Sequence, residues 1–421
     1  FYNELSYSHL CLRIFILSYI SCVRGEGMKK EDLDLIAKEL LGLIEGKTTT
    51  MASDEEAPYY VDINTYTDLE LFEREKKMLF KERPLLMAFS NDLPENGDFI
   101  TNEDTGIPIL ITRNSEGRVK AFLNVCRHRG ARLEDVPCGK KPRGFVCPYH
   151  AWKYDHDGKL TSIYGEDTFG EIDKSSHGLT ELAAEEKYGM IYVRPTPGPS
   201  MSVDDILGDK LGPQLGTWDL GSMHLVDRKI FTMPTNWKLA LDTFCEGYHF
   251  GPLHSETIGD TTYSNVMTYD KYGYNHRVGF ANKTILELND LPESEWEPLH
   301  HFQFVYFLFP NVIILVSPDY VNYFELYPGK KVNNHLTRFS LYKRFPMKTE
   351  EEKREAQDQY DFIYSVVEKD DYWVSENVMK GFKSGLHPHS IFGKNELSLI
   401  YMHQAFRDAV GLDPKDVELK R

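Results

Sequence analysis

Cys126-Arg127-His128, eighteen further residues, and then Cys147-Pro148-Tyr149-His150 leave this chain few folds to choose from. Each half brings one thiol and one imidazole. A structural zinc site of two Cys and two His commonly puts both thiolates in one short knuckle and both imidazoles in another. One Cys and one His from each of two loops is instead the donor set of a [2Fe–2S] cluster in which one iron takes both thiolates and the other both imidazoles. Gly130, just after the first pair, and Pro148, inside the second, suit tight loops folded around such a group. A structural zinc ion or a fortuitous pattern is the competing reading.

That ligation is the Rieske type, shared by respiratory electron-transfer subunits, small ferredoxins and oxygenases. The respiratory form resembles C-T-H-L-G-C with C-P-C-H, its two additional cysteines forming a disulfide across the cluster. In this chain those positions hold Ala131 and Tyr149, which fits the ferredoxin and oxygenase types instead. Length separates these two, since 421 residues far exceed what a ferredoxin of ~100 residues needs and leave room for a catalytic domain.

The formal net charge of −17 sets nucleic acid aside as a partner, because phosphate binding draws on clustered Lys and Arg. Residues 126–150 reverse that sign, with Arg127, Arg129, Arg132, Lys140, Lys141 and Arg143 against Glu134 and Asp135. Such a patch suits either the docking of an acidic redox partner or a plainly solvated loop surface. The six cysteines show no disulfide framework, which with thiolate ligation places the chain in a reducing, cytoplasmic compartment. Residues 9–23 are apolar but short for a membrane span and interrupted by Arg13, so no membrane association is expected, an anchor being the lesser alternative. Met28-Lys29-Lys30-Glu31 resembles an ordinary start, and residues 1–27 are expected to be dispensable.

Leu33, Ile36, Leu40, Leu41 and Ile44 recur at helical spacing, residues 47–57 form a polar linker, and residues 65–80 read as a second amphipathic helix. Alternating segments at 98–101, 107–112 and 119–125 read as strands, placing the first ligand pair on a loop after the third. A hairpin at 152–154 and 159–163 and a strand at 189–194 precede the Pro-rich residues 195–199. Beyond them, 236–249 is helical in character, and 301–309, 311–317, 321–327 and 335–345 read as consecutive strands. Residues 349–381 are charged and helical, and 399–410 form a last helix. The order predicts a small all-β domain set into an α+β domain.

A second constellation lies at 236–254. Glu246 and His249 stand three residues apart, so on a helix they share a face. His254 follows Gly251-Pro252, which would end the helix and let the chain turn back. Two imidazoles joined by one carboxylate make a facial triad that holds Fe(II) and leaves positions open for O₂. Two nearby histidines alone are more often surface or core residues; beside the cluster motif they point to iron.

C-x-H-x18-C-x2-H followed about 100 residues later by N-W-K…D…E-x-Y-H-x4-H resembles the Rieske non-haem iron oxygenases, the large (α) subunits of ring-hydroxylating oxygenases and their relatives. The resemblance runs from about Asn64 to the C-terminus. It implies an α+β fold, an all-β Rieske [2Fe–2S] domain inserted in a helix-grip (START-like) catalytic domain with a central antiparallel sheet. On it, residues 1–57 are an N-terminal extension, 58–85 a helix packing on the catalytic domain, 86–196 the Rieske domain and 197–421 the catalytic domain. Cys126, His128, Cys147 and His150 would hold the cluster; His249, His254 and a carboxylate from a late helix would hold mononuclear Fe(II). Matched to Glu368–Glu376, that carboxylate is Asp371, with Asp370 as the alternative. Glu246 would bridge His249 to the partner subunit's His150. Many relatives carry Asp at the bridge, and the family's frequent Glu-Asn pair is Leu241-Asp242, which passes the role of that Asn near the iron to Asp242.

The implied activity is that of a terminal oxygenase using O₂ and electrons from NAD(P)H, delivered through a ferredoxin or flavin reductase. It would hydroxylate or cis-dihydroxylate a mainly apolar, aromatic small molecule. O- or N-demethylation or aliphatic hydroxylation by a monooxygenase is the alternative, followed by a Rieske electron-transfer protein without oxygenase activity and a zinc-stabilised ligand-binding protein. A homotrimer is implied, with or without a small β subunit. Phe244, Phe250, Phe302, Phe304 and Tyr306 are expected to line the substrate pocket.

Overall fold

Runs rich in Val, Ile, Phe and Tyr build the largest element of the C-terminal half, a seven-stranded antiparallel sheet. In the computed structural model the described residues are 28–48 and 58–414, so the expectations for residues 1–27 and for most of the linker lie outside them. The strands stand in the order His224–Met233, His335–Lys343, Tyr320–Pro328, Val312–Val316, Phe302–Leu308, Asn275–Asn282 and Thr262–Tyr272. The central strands are apolar on both faces because both faces are covered. Val305 and Phe307 point into one core with the helices Trp237–Asp242, Tyr372–Phe382 and Leu397–Ala409. Phe302, Phe304, Tyr306 and Leu308 point the other way, into a second core with Lys30–Glu45 and Val203–Gly216.

The cluster motif lies in a separate β region. A five-stranded sheet, ordered Glu181–Leu182, Val119–Leu123, Ile109–Arg113, Asp98–Asn102 and Cys138–Lys140, stands beside the short strands Phe145–Val146, Lys153–Tyr154 and Leu160–Ser162. Leu85–Phe89 pairs with Met190–Val193, closing the region at its two chain ends. The expected architecture, a β domain set into a helix-covered antiparallel sheet, is the one observed.

Four local features depart from the sequence expectations. The amphipathic run at 65–80 is two helices, Asn64–Thr67 and Leu69–Met78, because Asp68 turns out of the helix and its side chain caps Leu71 N at 2.6 Å. The helix expected over 236–249 ends at Asp242. There the Glu246 carboxylate accepts from the backbone N–H groups of Tyr248 and His249, which a continuing helix would have given to carbonyls four residues earlier. The charged helix at 350–382 contains a π turn at Val367–Asp371, a device that re-aims side chains within a helix. Finally, the strands at 224–233, 262–272 and 275–282 carry no clean apolar alternation and were not legible as strands.

The Asn-Trp-Lys stretch fastens the helix Trp237–Asp242 to the N-terminal helices. Asn236 Oδ1 caps Lys238 N at 2.9 Å and its Nδ2 donates to Tyr66 O at 3.1 Å. Lys238 and Glu75 form an ion pair at 1% and 2% exposure, and Trp237 Nε1 donates to Glu75 at 3.3 Å. Removing either charge would strand the other in the interior, so this pair fixes where the helix, and the loop after it, must lie.

Candidate metal centres

The first ligand pair folds as a turn in which Gly130 N donates to Cys126 O at 3.0 Å and Cys126 N to Ala131 O at 2.8 Å. The second repeats that arrangement, with Ala151 N to Cys147 O at 3.0 Å and Cys147 N to Trp152 O at 2.8 Å. Gly130 adopts φ +76°, a left-handed conformation open to glycine at no steric penalty. The turns bury Cys126 and Cys147 and bring the His128 and His150 rings to 4.6 Å. Trp152 stacks on His128 with ring centroids 5.0 Å apart, and the Tyr154 hydroxyl lies 3.4 Å from Cys126 Sγ.

Nδ1 of His128 and Nδ1 of His150 are both buried with no hydrogen-bond partner. A buried ring nitrogen without a partner is costly unless something else takes its lone pair, and two of them beside two buried thiols fit a [2Fe–2S] cluster. None of the described cysteines is in a disulfide, as the Ala131 and Tyr149 substitutions require. Of the six cations in this stretch, Arg132 pairs with Glu103, Lys140 with Glu95 and Lys141 with Glu134, so half of the basic patch is neutralised within the chain.

The second constellation converges. His249, His254 and Asp371 bring one donor atom each to within 4.8 Å of one another, the only such group of three among the described residues. Asp371 Oδ1 lies 3.5 Å from His249 Nε2 and 3.3 Å from His254 Nε2. The opposite ring nitrogens are held from behind: His249 Nδ1 by Glu246, and His254 Nδ1 by Asp370 Oδ2 at 3.0 Å. Each imidazole therefore turns Nε2 inward while a carboxylate fixes its tautomer and raises its basicity.

The electrostatics agree. Burial pulls His249 down, but the Asp371 and Glu246 carboxylates outweigh it and raise it to about 10. Burial likewise opposes the upward shift of His254, which Asp371 and then Asp370 produce. Burial pushes Asp371 up, yet the two histidines hold it below the ordinary range. A pocket that favours positive charge so strongly, with three N/O donors, fits a divalent metal ion. The π turn explains the division of labour between the neighbouring carboxylates: Asp371 faces both rings, and Asp370 backs one of them.

Several expectations need adjustment. Glu246 and His249 meet through a loop, not along a helix face. Gly247 sits so close to Phe280 that a Cβ would lie 2.9 Å from the ring, which fixes the loop against the sheet. Asp242 does not turn toward the triad: its oxygens take Tyr66 Oη at 2.8 Å and His403 Nε2 at 2.8 Å, in an interior network no sequence spacing signalled. Phe250 lies 5.0 and 6.1 Å from the His249 and His254 rings and 4.9 Å from Phe280, while Phe244 packs on Phe324 at 4.8 Å and on Tyr372, next to Asp371, at 6.5 Å. Phe302, Phe304 and Tyr306 cannot line the same pocket, because strand alternation puts them in the opposite core, where Tyr306 accepts from Trp218 Nε1 at 2.9 Å.

Asp370 was legible only as a competing ligand, and its position behind His254 gives it a separate task. Asp370→Asn is expected to weaken iron binding by ~10–100-fold, the usual effect of losing a carboxylate that orients a ligand histidine. Competition with a chelator measures it; unchanged affinity would show that His254 needs no such support.

A two-loop Cys/His cluster site and a separate His/His/Asp triad in one chain define an oxidoreductase with an electron-carrying centre and an oxygen-activating one. Residues 83–172 match the family model of the Rieske [2Fe-2S] domain, and residues 218–412 that of the ring hydroxylating alpha subunit (catalytic domain). The chain belongs to the Rieske non-haem iron oxygenases, the ring-hydroxylating α-subunit family, and is a terminal oxygenase carrying a [2Fe–2S] cluster and mononuclear iron, supplied with electrons by a reductase or ferredoxin. It is 26% identical over 329 residues to the carnitine monooxygenase oxygenase subunit of Acinetobacter baumannii, covering 76% of this chain and 84% of that one. It is 31% identical over 201 residues to the anthranilate 1,2-dioxygenase large subunit of Acinetobacter baylyi, covering 47% of this chain and 42% of that one. The quaternary ammonium Rieske monooxygenase CntA, solved with L-carnitine, has a similar fold, with a TM-score of 0.71 and 22% identity over 84% of this chain and 95% of that chain.

Proposed function

We propose that this terminal oxygenase oxidises a carbon bound to nitrogen in a small N-methylated cation, so that a C–N bond breaks and an amine and a carbonyl compound leave. One observation carries the choice of a cation: the acidic groups around the triad have no described Lys or Arg as ion-pair partner. Asp242, Glu246, Asp370 and Asp371 are answered only by His403, His249 and His254. Such a field attracts cations and repels anionic substrates. Aromatic rings near the triad, Phe250 beside His249 and Phe244 beside Tyr372, suit a quaternary ammonium group. The alignment with the carnitine enzyme spans most of both chains, whereas that with the anthranilate enzyme spans less than half of either. The same rings also favour a second reading, oxidation of an apolar aromatic compound.

Cys126, His128, Cys147 and His150 would hold the cluster, and His249, His254 and Asp371 the iron. When bound, the two centres supply single electrons and the activation of O₂. Glu246 and Asp370 orient the imidazoles, and Glu246, itself largely buried, stands in its loop two residues before Tyr248, which is 62% exposed. A homotrimer that sets this loop against the partner subunit's His150 would make Glu246 the link between centres of two subunits. No helix among the described residues is long and apolar enough to cross a membrane. Thiolate ligation supports a cytoplasmic location.

A single turnover of the reduced protein under ¹⁸O₂ tests the substrate reading, with L-carnitine, glycine betaine, anthranilate and naphthalene as substrates. Release of an amine with one ¹⁸O in the carbonyl fragment, trapped by reduction, is the expected result. Two ¹⁸O atoms in a ring product, with the cations untouched, would replace it by the aromatic reading.

A further inference from the structure

The floor beneath the triad can be located from strand register alone. Phe244 packs on Phe324, in the cross-strand row Phe307, Ile313, Phe324 and Phe339. Phe250 packs on Phe280, which pairs with Gln303, four residues along the strand from Phe307. Between these rows runs Val305, Leu315, Asn322 and Leu341, about 6.8 Å from each. It faces the same side, beneath the gap that separates Phe244 from Phe250. Glu246 and His249 occupy the loop that spans this gap.

Two features of the middle row are out of place in a filled core. Leu315, on the centre strand of the sheet, is only partly buried, so protein does not fully cover it. Asn322, paired directly with Leu315, is 7% exposed, yet its buried Oδ1 has no hydrogen-bond partner. Leaving a buried amide oxygen unpaired destabilises a fold, and replacing the group by an apolar one of similar size relieves that. A polar group kept under such a penalty, in an otherwise apolar row beside incompletely covered surface, marks a place where a ligand completes the hydrogen bonding.

We propose that Asn322 is a specificity-determining residue of the substrate chamber. Its amide binds a hydrogen-bonding group of the substrate, a hydroxyl or ring N–H, while the carbon to be oxidised lies toward His249, His254 and Asp371. This rests on the reading of the triad as the oxidation site but not on the choice between cation and arene. The substrate class is thereby narrowed to small molecules with an apolar or N-methylated end and one polar group on the sheet side. A site built to satisfy a polar group discriminates strongly against analogues lacking it.

Asn322→Leu tests the assignment in two ways on the anaerobic holoenzyme. Its unfolding temperature is expected to rise by ~2 °C or more, because an unsatisfied amide is removed from the interior. Equilibrium dialysis then compares L-carnitine with γ-butyrobetaine, which lacks its hydroxyl, and indole with naphthalene, which lacks its N–H. Within whichever pair the unaltered protein binds, the variant is expected to lose ~10-fold in affinity for the hydrogen-bonding member and little for the other. A lowered unfolding temperature would show that Asn322 serves the fold. Equal changes within the pair, or no binding of any of the four probes, would equally overturn the assignment. Which pair binds decides the substrate reading separately from the difference within it.

Discussion

His249→Ala is expected to remove iron from the catalytic site and abolish substrate oxidation, while leaving the visible spectrum of the reduced and oxidised cluster unchanged. His249 supplies one of the three converging donors, and its loss leaves His254 and Asp371, too few to hold Fe(II) against exchange with water. Even partners that only orient a ligand are worth ~10–100-fold in metal affinity, so removal of the ligand itself is expected to exceed ~100-fold. The cluster is untouched because its four donors lie in a different domain with its own core of Phe99, Phe122, Trp152 and Tyr154. Loss of the cluster spectrum in this variant would mean that the two sites do not fold independently.

Glu246→Gln has the second largest effect and a different signature. Glutamine keeps an oxygen for the Tyr248 and His249 N–H groups, so the loop should hold its shape. It loses the charge that orients His249 Nδ1 and that would pair with the partner subunit's His150. After iron loading, iron and sulfide contents are expected to match those of the unaltered protein, with the iron held ~10–100-fold more weakly, while turnover falls by ~100-fold or more. Rapid mixing of the reduced variant with O₂ and substrate should show the cluster remaining reduced. Near-normal turnover would rule out Glu246 as the link. The Glu246→Ala variant is a weaker test, since it also strips the loop of its cap.

Both effects concern residues that short motifs made legible. Cys126, His128, Cys147 and His150 were readable as candidate ligands because metal ligation constrains residue type and spacing together, and Gly130 adopts the left-handed conformation its turn requires. His249 and His254 lie close in sequence for the same reason. The third donor comes from a helix more than a hundred residues away, so only family resemblance could select it, and between Asp370 and Asp371 the decision belongs to the π turn. The sheet was half legible: its central strands are continuous apolar runs, whereas His224–Met233 and Thr262–Tyr272 lie at the two edges with mixed exposure. Apolar runs on both faces also explain the misplaced pocket residues. When every position of Phe302–Leu308 but Gln303 is hydrophobic, periodicity cannot say which face looks at the iron. Asn322 escaped notice because an isolated Asn in a strand carries no pattern, and its meaning arises only from the absence of a partner.

Iron and acid-labile sulfide, counted per chain on the anaerobically purified protein, test most directly whether both centres exist together. A [2Fe–2S] cluster plus one mononuclear iron predicts about three irons for two sulfides, falling to two for two in His249→Ala. Two irons for two sulfides in the unaltered protein after iron loading would contradict the account, leaving an electron-transfer protein whose His249, His254 and Asp371 hold no iron.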